Sequence, residues 1–133
     1  YPYILTTGRL LEHYNCGTMT RRTPNAELVS RDVLLIHPQD AARHGVVDGQ
    51  RVTVTGPQGR VVAPVAIDAT MMPGVASLPH GWGHGLAGTQ MAVAAERPGA
   101  NLNQLLDDRL RDPLSGNAVL SGVAVRLQAV AGG

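Results

Sequence analysis

Hydrophobic and polar positions alternate most cleanly in two neighbouring stretches. Arg51 to Thr55 (RVTVT) reads with period 2, and Arg60 to Asp68 (RVVAPVAID) repeats the pattern after Gly56-Pro57-Gln58-Gly59. Period 2 places alternate side chains on opposite faces of a strand, and a Gly/Pro cluster between two such runs predicts a hairpin. Pro64 inside the second run points to an edge or a bulge, because proline cannot donate to a ladder.

Further strands are predicted at Tyr1 to Thr7, Val33 to Ile36 and Val75 to Leu78, the last broken at Pro79. A final strand lies within Val119 to Val130, with Val123, Val125 and Leu127 on one face. Residues 131–133 are read as a tail.

Helical signals are few. Pro38 suits a first helical turn, Gln39 to His44 continue it and Gly45 stops it. Asn101 to Arg109 reads as a second short helix, and Met91 to Glu96 as one helical turn. Val46 to Gly49, Met72 to Gly74 and Asp112 to Gly116 are turn signals. Many short strands with little helix predict a small β-barrel with helical inserts. No Gly-x-Gly-x-x-Gly follows a strand, which argues against a Rossmann-type nucleotide fold.

Two segments have no period. Leu10 to Pro24 (LLEHYNCGTMTRRTP) predicts a long ordered loop with at most one helical turn, and its His, Tyr, Asn, Cys, Thr and Arg are not linker composition. Pro79 to Gly88 (PHGWGHGLAG) holds four glycines and is incompatible with regular structure.

Composition narrows the classes. A chain of 133 residues, 44% hydrophobic and 16% charged, is one globular domain rather than a disordered segment. There is no run long enough for a membrane span and no leader pattern. The expectation is therefore a cytoplasmic location, any leader lying outside this chain. One cysteine excludes a disulfide framework and an all-cysteine metal site. The net charge of +1 argues against a nucleic-acid binder. All 11 basic residues are arginine and phenylalanine is absent. Genome composition accounts for the arginine bias; so would phosphate binding, since guanidinium forks onto phosphate oxygens.

The chemistry-bearing residues cluster. Thr6-Thr7-Gly8-Arg9 follows a strand, where a glycine lets backbone donors approach a ligand and Arg9 can fork onto a phosphate. His13, Tyr14, Asn15, Thr18, Thr20, Arg21 and Arg22 follow, a set equally suited to a diphosphate or to a solvated loop. His80 and His84 are four apart with Trp82 between them, but the glycines forbid a helix and no third ligand is near. A glycine-rich loop with an aromatic plate pressed on a flat ligand fits better than a metal site. Cys16 reads as a small packing residue, and Asp112 before Pro113 as a turn start. No metal ligand or catalytic group is assigned.

The run Thr7-Gly8-Arg9-Leu10-Leu11-Glu12-His13-Tyr14-Asn15-Cys16-Gly17-Thr18-Met19-Thr20-Arg21-Arg22 resembles the loop that opens the C-terminal domain of molybdenum and tungsten bis-pterin oxidoreductases, such as formate dehydrogenases, nitrate reductases and dimethyl sulfoxide reductase. The resemblance continues through His37 to Ala42, Asp48 to Val52, Gly59 to Ala63, Pro73 to Val75, Leu78 to His80, Asn101 to Asn103 and Asp112 to Ser115. It implies a six-stranded double-psi β-barrel, like that of aspartate decarboxylase, that binds molybdopterin guanine dinucleotide (bis-MGD) with Mo or W. It further implies that Thr7, Gly8, Arg9, His13, Asn15, Thr18, Arg21, His80 and Asn103, with Asn101 as second choice, contact that cofactor.

The metal ligand and any iron–sulfur cluster would lie in upstream domains of the same enzyme. Residues 1–133 are then a single pterin-dinucleotide domain, expected to be inert alone. One departure is Ser121-Gly122, where many relatives carry a lysine. The other is Pro79-His80-Gly81-Trp82-Gly83-His84, where relatives often read Pro-Phe or Pro-Tyr. The competing reading is a free-standing double-psi barrel. As a pyruvoyl enzyme it would need a Gly-Ser bond, which the chain lacks; as a non-catalytic interaction module it would not need the Thr7 to Arg22 loop.

Overall fold

The computed structural model describes residues 1–131; the predicted tail falls partly at 132–133, outside the described residues. Six strands form it: β1 (Tyr3–Gly8), β2 (Leu34–Ile36), β3 (Arg51–Thr55), β4 (Arg60–Ile67), β5 (Val75–Pro79) and β6 (Val123–Ala129). They close into a barrel in the order β1-β5-β2-β4-β3-β6, with β6 returning antiparallel to β1. Two pairs are parallel, β1 with β5 and β2 with β4. The six-stranded barrel expected from the sequence is the one observed.

The period-2 pattern fills the interior. Tyr3 and Leu5, Val52 and Val54, Val61, Ala63 and Val65, Ala76 and Leu78, and Val125 and Leu127 all point inward and are buried. With no phenylalanine, branched aliphatics pack the barrel, whose bore at this strand number admits side chains only.

Three short α-helices decorate it: α1 (Asn25–Leu28), α2 (Pro38–His44) and α3 (Ala92–Ala95). Helix α2 starts and stops as predicted. The His37 side chain accepts from the Gln39 N–H, Pro38 opens the first turn, and Gly45 closes it at φ 61°. Buried Asp40 ties α2 to the barrel, accepting from the Gly74 N–H at 2.7 Å and from Arg43 at 3.3 Å. The Tyr3 hydroxyl meets His44 Nε2 at 2.8 Å. This polar cluster closes the end of the barrel where the parallel strands β1 and β5 begin.

Two sequence expectations are corrected. Asn101 to Arg109 is not an α-helix; only Leu102–Leu105 form a 3-10 turn. Leu102 and Leu105 bury themselves over the core, while Asp107 turns away to bind Arg109 and Gln58. Pro64 marks neither a free edge nor a bulge. It pairs with Arg51 at the last rung between β4 and β3, just before β4 changes partner to β2.

Candidate functional site

Topology puts the site at the opposite end. Strands β1 and β5 run parallel with Gly8 beside Pro79, so the loops that leave them emerge side by side. Strand β6 is antiparallel to β1, so the segment entering it arrives at the same end. The Gly122 N–H donates to Leu5 O, and the Thr7 N–H donates to Ser121 Oγ at 3.1 Å. The turn at 102–105 lies across this end, with Gly59 against the Gln104 carbonyl and Asn101 against Gly83.

The 9–22 loop is held by its own side chains. His13 Nε2 lies 2.7 Å from Val29 O and Nδ1 lies 2.9 Å from Thr20 Oγ1. A carbonyl only accepts, so Nε2 donates to Val29 O, and Nδ1 pairs with the Thr20 hydroxyl. Both ring nitrogens of His13 are thus spent on the loop. Asn15 stands at φ 49°, the one non-glycine positive φ among the described residues. Asparagine tolerates the left-handed region better than most residues.

That turn lets residues 15–16 press onto the glycine loop. A Cβ built on Gly81, itself at φ 84°, would stand 2.5 Å from Cys16 Cα. Cys16 is exposed, and the Thr18 hydroxyl and backbone N–H beside it hold the thiol below its usual range.

Arg21 joins the two loops. Its NH2 donates to Gly81 O at 2.8 Å, its NH1 lies 3.4 Å from His84 Nδ1, and its guanidinium carbon sits 3.7 Å from the centroid of Trp82. Trp82 is 6% exposed, with His13 edge-on at 6.1 Å. Trp82 is therefore not an open plate for a flat ligand, as the sequence suggested. Arg21 already covers it.

The other predicted residues divide. Arg9, Asn15 and Asn103 are exposed; Thr7, Gly8, Thr18 and His80 are half-buried at the rim. His80 Nδ1 lies 3.2 Å from Gly8 O. This fixes the proton on Nδ1 and leaves Nε2 for another partner. Asn101 spends its side-chain oxygen on the Asn103 N–H at 3.1 Å, so of the two asparagines only Asn103 presents an exposed side chain.

Sequence reasoning missed the partnership of Thr7 with Ser121, because residues 114 apart carry no local signal. It also missed Asp32, which is 3% exposed and accepts from the Ala100 N–H at 2.7 Å, fastening the end of the glycine-rich segment. Burial raises the Asp32 pKa despite that bond. Asp112 is a turn start, as expected, taking the Ser115 N–H and hydroxyl at 2.7 and 2.8 Å.

The donor set fits a polyanion. Residues 8–22 and 80–97 contain four arginines (Arg9, Arg21, Arg22, Arg97) and three histidines (His13, His80, His84) against two carboxylates, Glu12 and Glu96, with His13 and Arg21 already engaged within the loops. Thr7, Thr18 and Asn15 add neutral donors. Such a mixture of guanidinium, hydroxyl and amide suits phosphate oxygens and a heterocycle edge.

Comparison with known proteins gives this arrangement a family. Residues 3–124 match the family described as "Molydopterin dinucleotide binding domain", and the chain belongs to it. It is 40% identical over 80 residues to the alpha subunit of the F420-dependent formate dehydrogenase 1 of Methanococcus maripaludis, a match covering 59% of this chain and 12% of that protein. To a nitrate reductase of Symbiobacterium thermophilum it is 39% identical over 74 residues, covering 55% of this chain and 10% of that one. To a tetrathionate reductase subunit of Salmonella typhimurium it is 31% identical, covering 98% of this chain and 16% of that one.

Among solved structures, acetylene hydratase from Pelobacter acetylenicus superposes with a TM-score of 0.76 at 24% identity, covering 96% of this chain and 18% of that one. That likeness concerns the fold. The chain thus spans between 10% and 16% of the length of these three curated relatives.

Proposed function

We propose that this domain holds the guanine dinucleotide form of molybdopterin as the C-terminal part of a larger, formate-dehydrogenase-like molybdenum or tungsten oxidoreductase. The observation that carries the reading is the pairing of the family match over residues 3–124 with a donor-rich barrel end whose two loop segments carry more arginine and histidine than carboxylate. The bound cofactor supplies the metal centre for two-electron chemistry, and any iron–sulfur relay belongs to other domains.

This chain's own residues bind and orient. Arg9 reaches phosphate with paired N–H donors, and the hydroxyls of Thr7 and Thr18 and the backbone at Gly8 flank it. His80, its Nδ1 proton held by Gly8 O, offers Nε2 to the pterin or its phosphate. Asn103 offers an amide with donors and acceptors to a pterin edge. His13 and Asn101 support these groups from behind.

Denaturing the complete enzyme and assaying the released small molecules tests the reading. Guanine nucleotide, a fluorescent oxidised pterin, and molybdenum or tungsten are expected together. A preparation active in its native reaction but free of pterin and guanine would overturn it.

A further inference from the structure

The 9–22 loop and the glycine loop after β5 have no strand pairing between them, yet the rim needs both in fixed relation. Cys16 packs on Gly81 and His13 on Trp82, but the hydrogen bonds that join the two loops come from one side chain. Arg21 reaches Gly81 O, His84 Nδ1 and the face of Trp82 at once. Its Nε is buried and has no hydrogen-bond partner. The depression bounded by Arg21, His80, Trp82 and the 13–17 segment is about 10 Å³, room for one water at most. A phosphate cannot enter on that side; on the other, Arg21 helps line an open cavity of about 470 Å³, where Glu27 and Glu96 set two carboxylates against Arg21 and Arg97. Gly17 completes the enclosure: it sits at φ 70°, and a Cβ on it would stand 2.8 Å from Arg21 Nε. On the Gly17 side the loop is wrapped around the guanidinium rather than arrayed to offer it outward.

Resting on the cofactor-binding reading above, we infer that Arg21 is a positioning residue that clasps the two loops together before the cofactor arrives. The cationic contacts with phosphate then fall to exposed Arg9 and Arg22. The geometry demands arginine in particular. A planar fork can stack on an indole while donating at its rim to two acceptors; an ammonium is a point charge that cannot do both.

Hydrogen exchange read by mass spectrometry on the complete enzyme, purified without cofactor, tests this together with guanine content of the loaded enzyme. Arg21→Met and Arg21→Lys should both speed exchange at 13–22 and at 80–84 by tenfold or more, leaving β1 to β6 unchanged. Guanine content should fall equally in both. His84→Gln keeps an acceptor for NH1 and should change exchange by less than threefold.

Two outcomes would overturn the clasp. In one, Arg21→Lys retains loop protection and guanine content. In the other, Arg21→Met loses guanine while loop exchange in the cofactor-free enzyme stays at wild type, which marks a direct ligand. A wild-type enzyme that carries no guanine defeats the binding reading instead, and the exchange data still decide the clasp. If β1 to β6 lose protection in Arg21→Met, exchange in Arg21→Lys and His84→Gln decides it by the same criteria.

Discussion

The hydroxyl of Thr7, at the end of β1, lies 3.2 Å from the hydroxyl of Ser121, just before β6. The Thr7 N–H also donates to Ser121 Oγ. Ser121 occupies the place where the family resemblance leads one to expect a lysine, and here it ties two barrel segments together at the rim. Ser121→Lys exchanges that tie for a cation. The lost bonds should cost about 1 kcal/mol of stability. The added charge should tighten polyanion binding by up to roughly fivefold, an effect that salt screens. Guanine retention of the complete enzyme, compared at low and high ionic strength, checks the gain.

Arg9 is exposed beside Gly8. A lost charged hydrogen bond costs on the order of 1.5–3 kcal/mol, roughly tenfold or more in affinity. Arg9→Ala should therefore lower guanine and pterin content of the complete enzyme together. Wild-type content with normal turnover would remove Arg9 from the site.

Gly81 is required by shape. Its φ of 84° and the approach of Cys16 leave no place for a methyl group. Strain at positive φ and overpacking against backbone together should cost about 2–4 kcal/mol in Gly81→Ala. Gly88, at φ 87° with nothing within 4 Å of its Cβ position, bears only the strain, so Gly88→Ala should cost about 1 kcal/mol. Urea unfolding midpoints of the two variants, compared with wild type, separate the contributions.

His84 supplies a pH dependence. Burial, and then the Arg21 guanidinium, hold its pKa below 6.5. The folded loop therefore favours the neutral ring. Its contribution is fully present above the unfolded value and is lost as pH falls through the lower folded one. Loop exchange at 80–84, corrected for the intrinsic pH dependence of exchange, should rise with a midpoint below pH 6.5. His84→Gln should abolish that midpoint; a midpoint that survives the substitution assigns the titration to another group.

How far the sequence reveals this molecule follows from the range of each interaction. Strands β3 and β4 are legible because side-chain alternation is a local property, and α2 because its cap, its proline and its glycine lie within nine residues. The 101–109 segment misleads because its leucines face the core over a single 3-10 turn, after which Asp107 finds Gln58 and Arg109. The hydrogen bonds from Arg109, and then that from Gln58, hold the Asp107 pKa down to about 2. At the site, composition marks the two loops but not the inward turn of Arg21, since Gly81, Trp82 and His84 are about 60 residues distant in the chain. Thr7 and Ser121 are hidden for the same reason.

The central claim is that the end of the barrel bearing Gly8 and Pro79 faces the pterin dinucleotide. A structure of the complete enzyme with its cofactor tests this most directly, through the surroundings of Arg9, His80 and Asn103. The account predicts the Arg9 guanidinium on a phosphate, His80 Nε2 within hydrogen-bond distance of the pterin or its phosphate, and the Asn103 amide on a pterin edge. All three side chains in solvent, or a metal ion bridging His80 and His84, would contradict it.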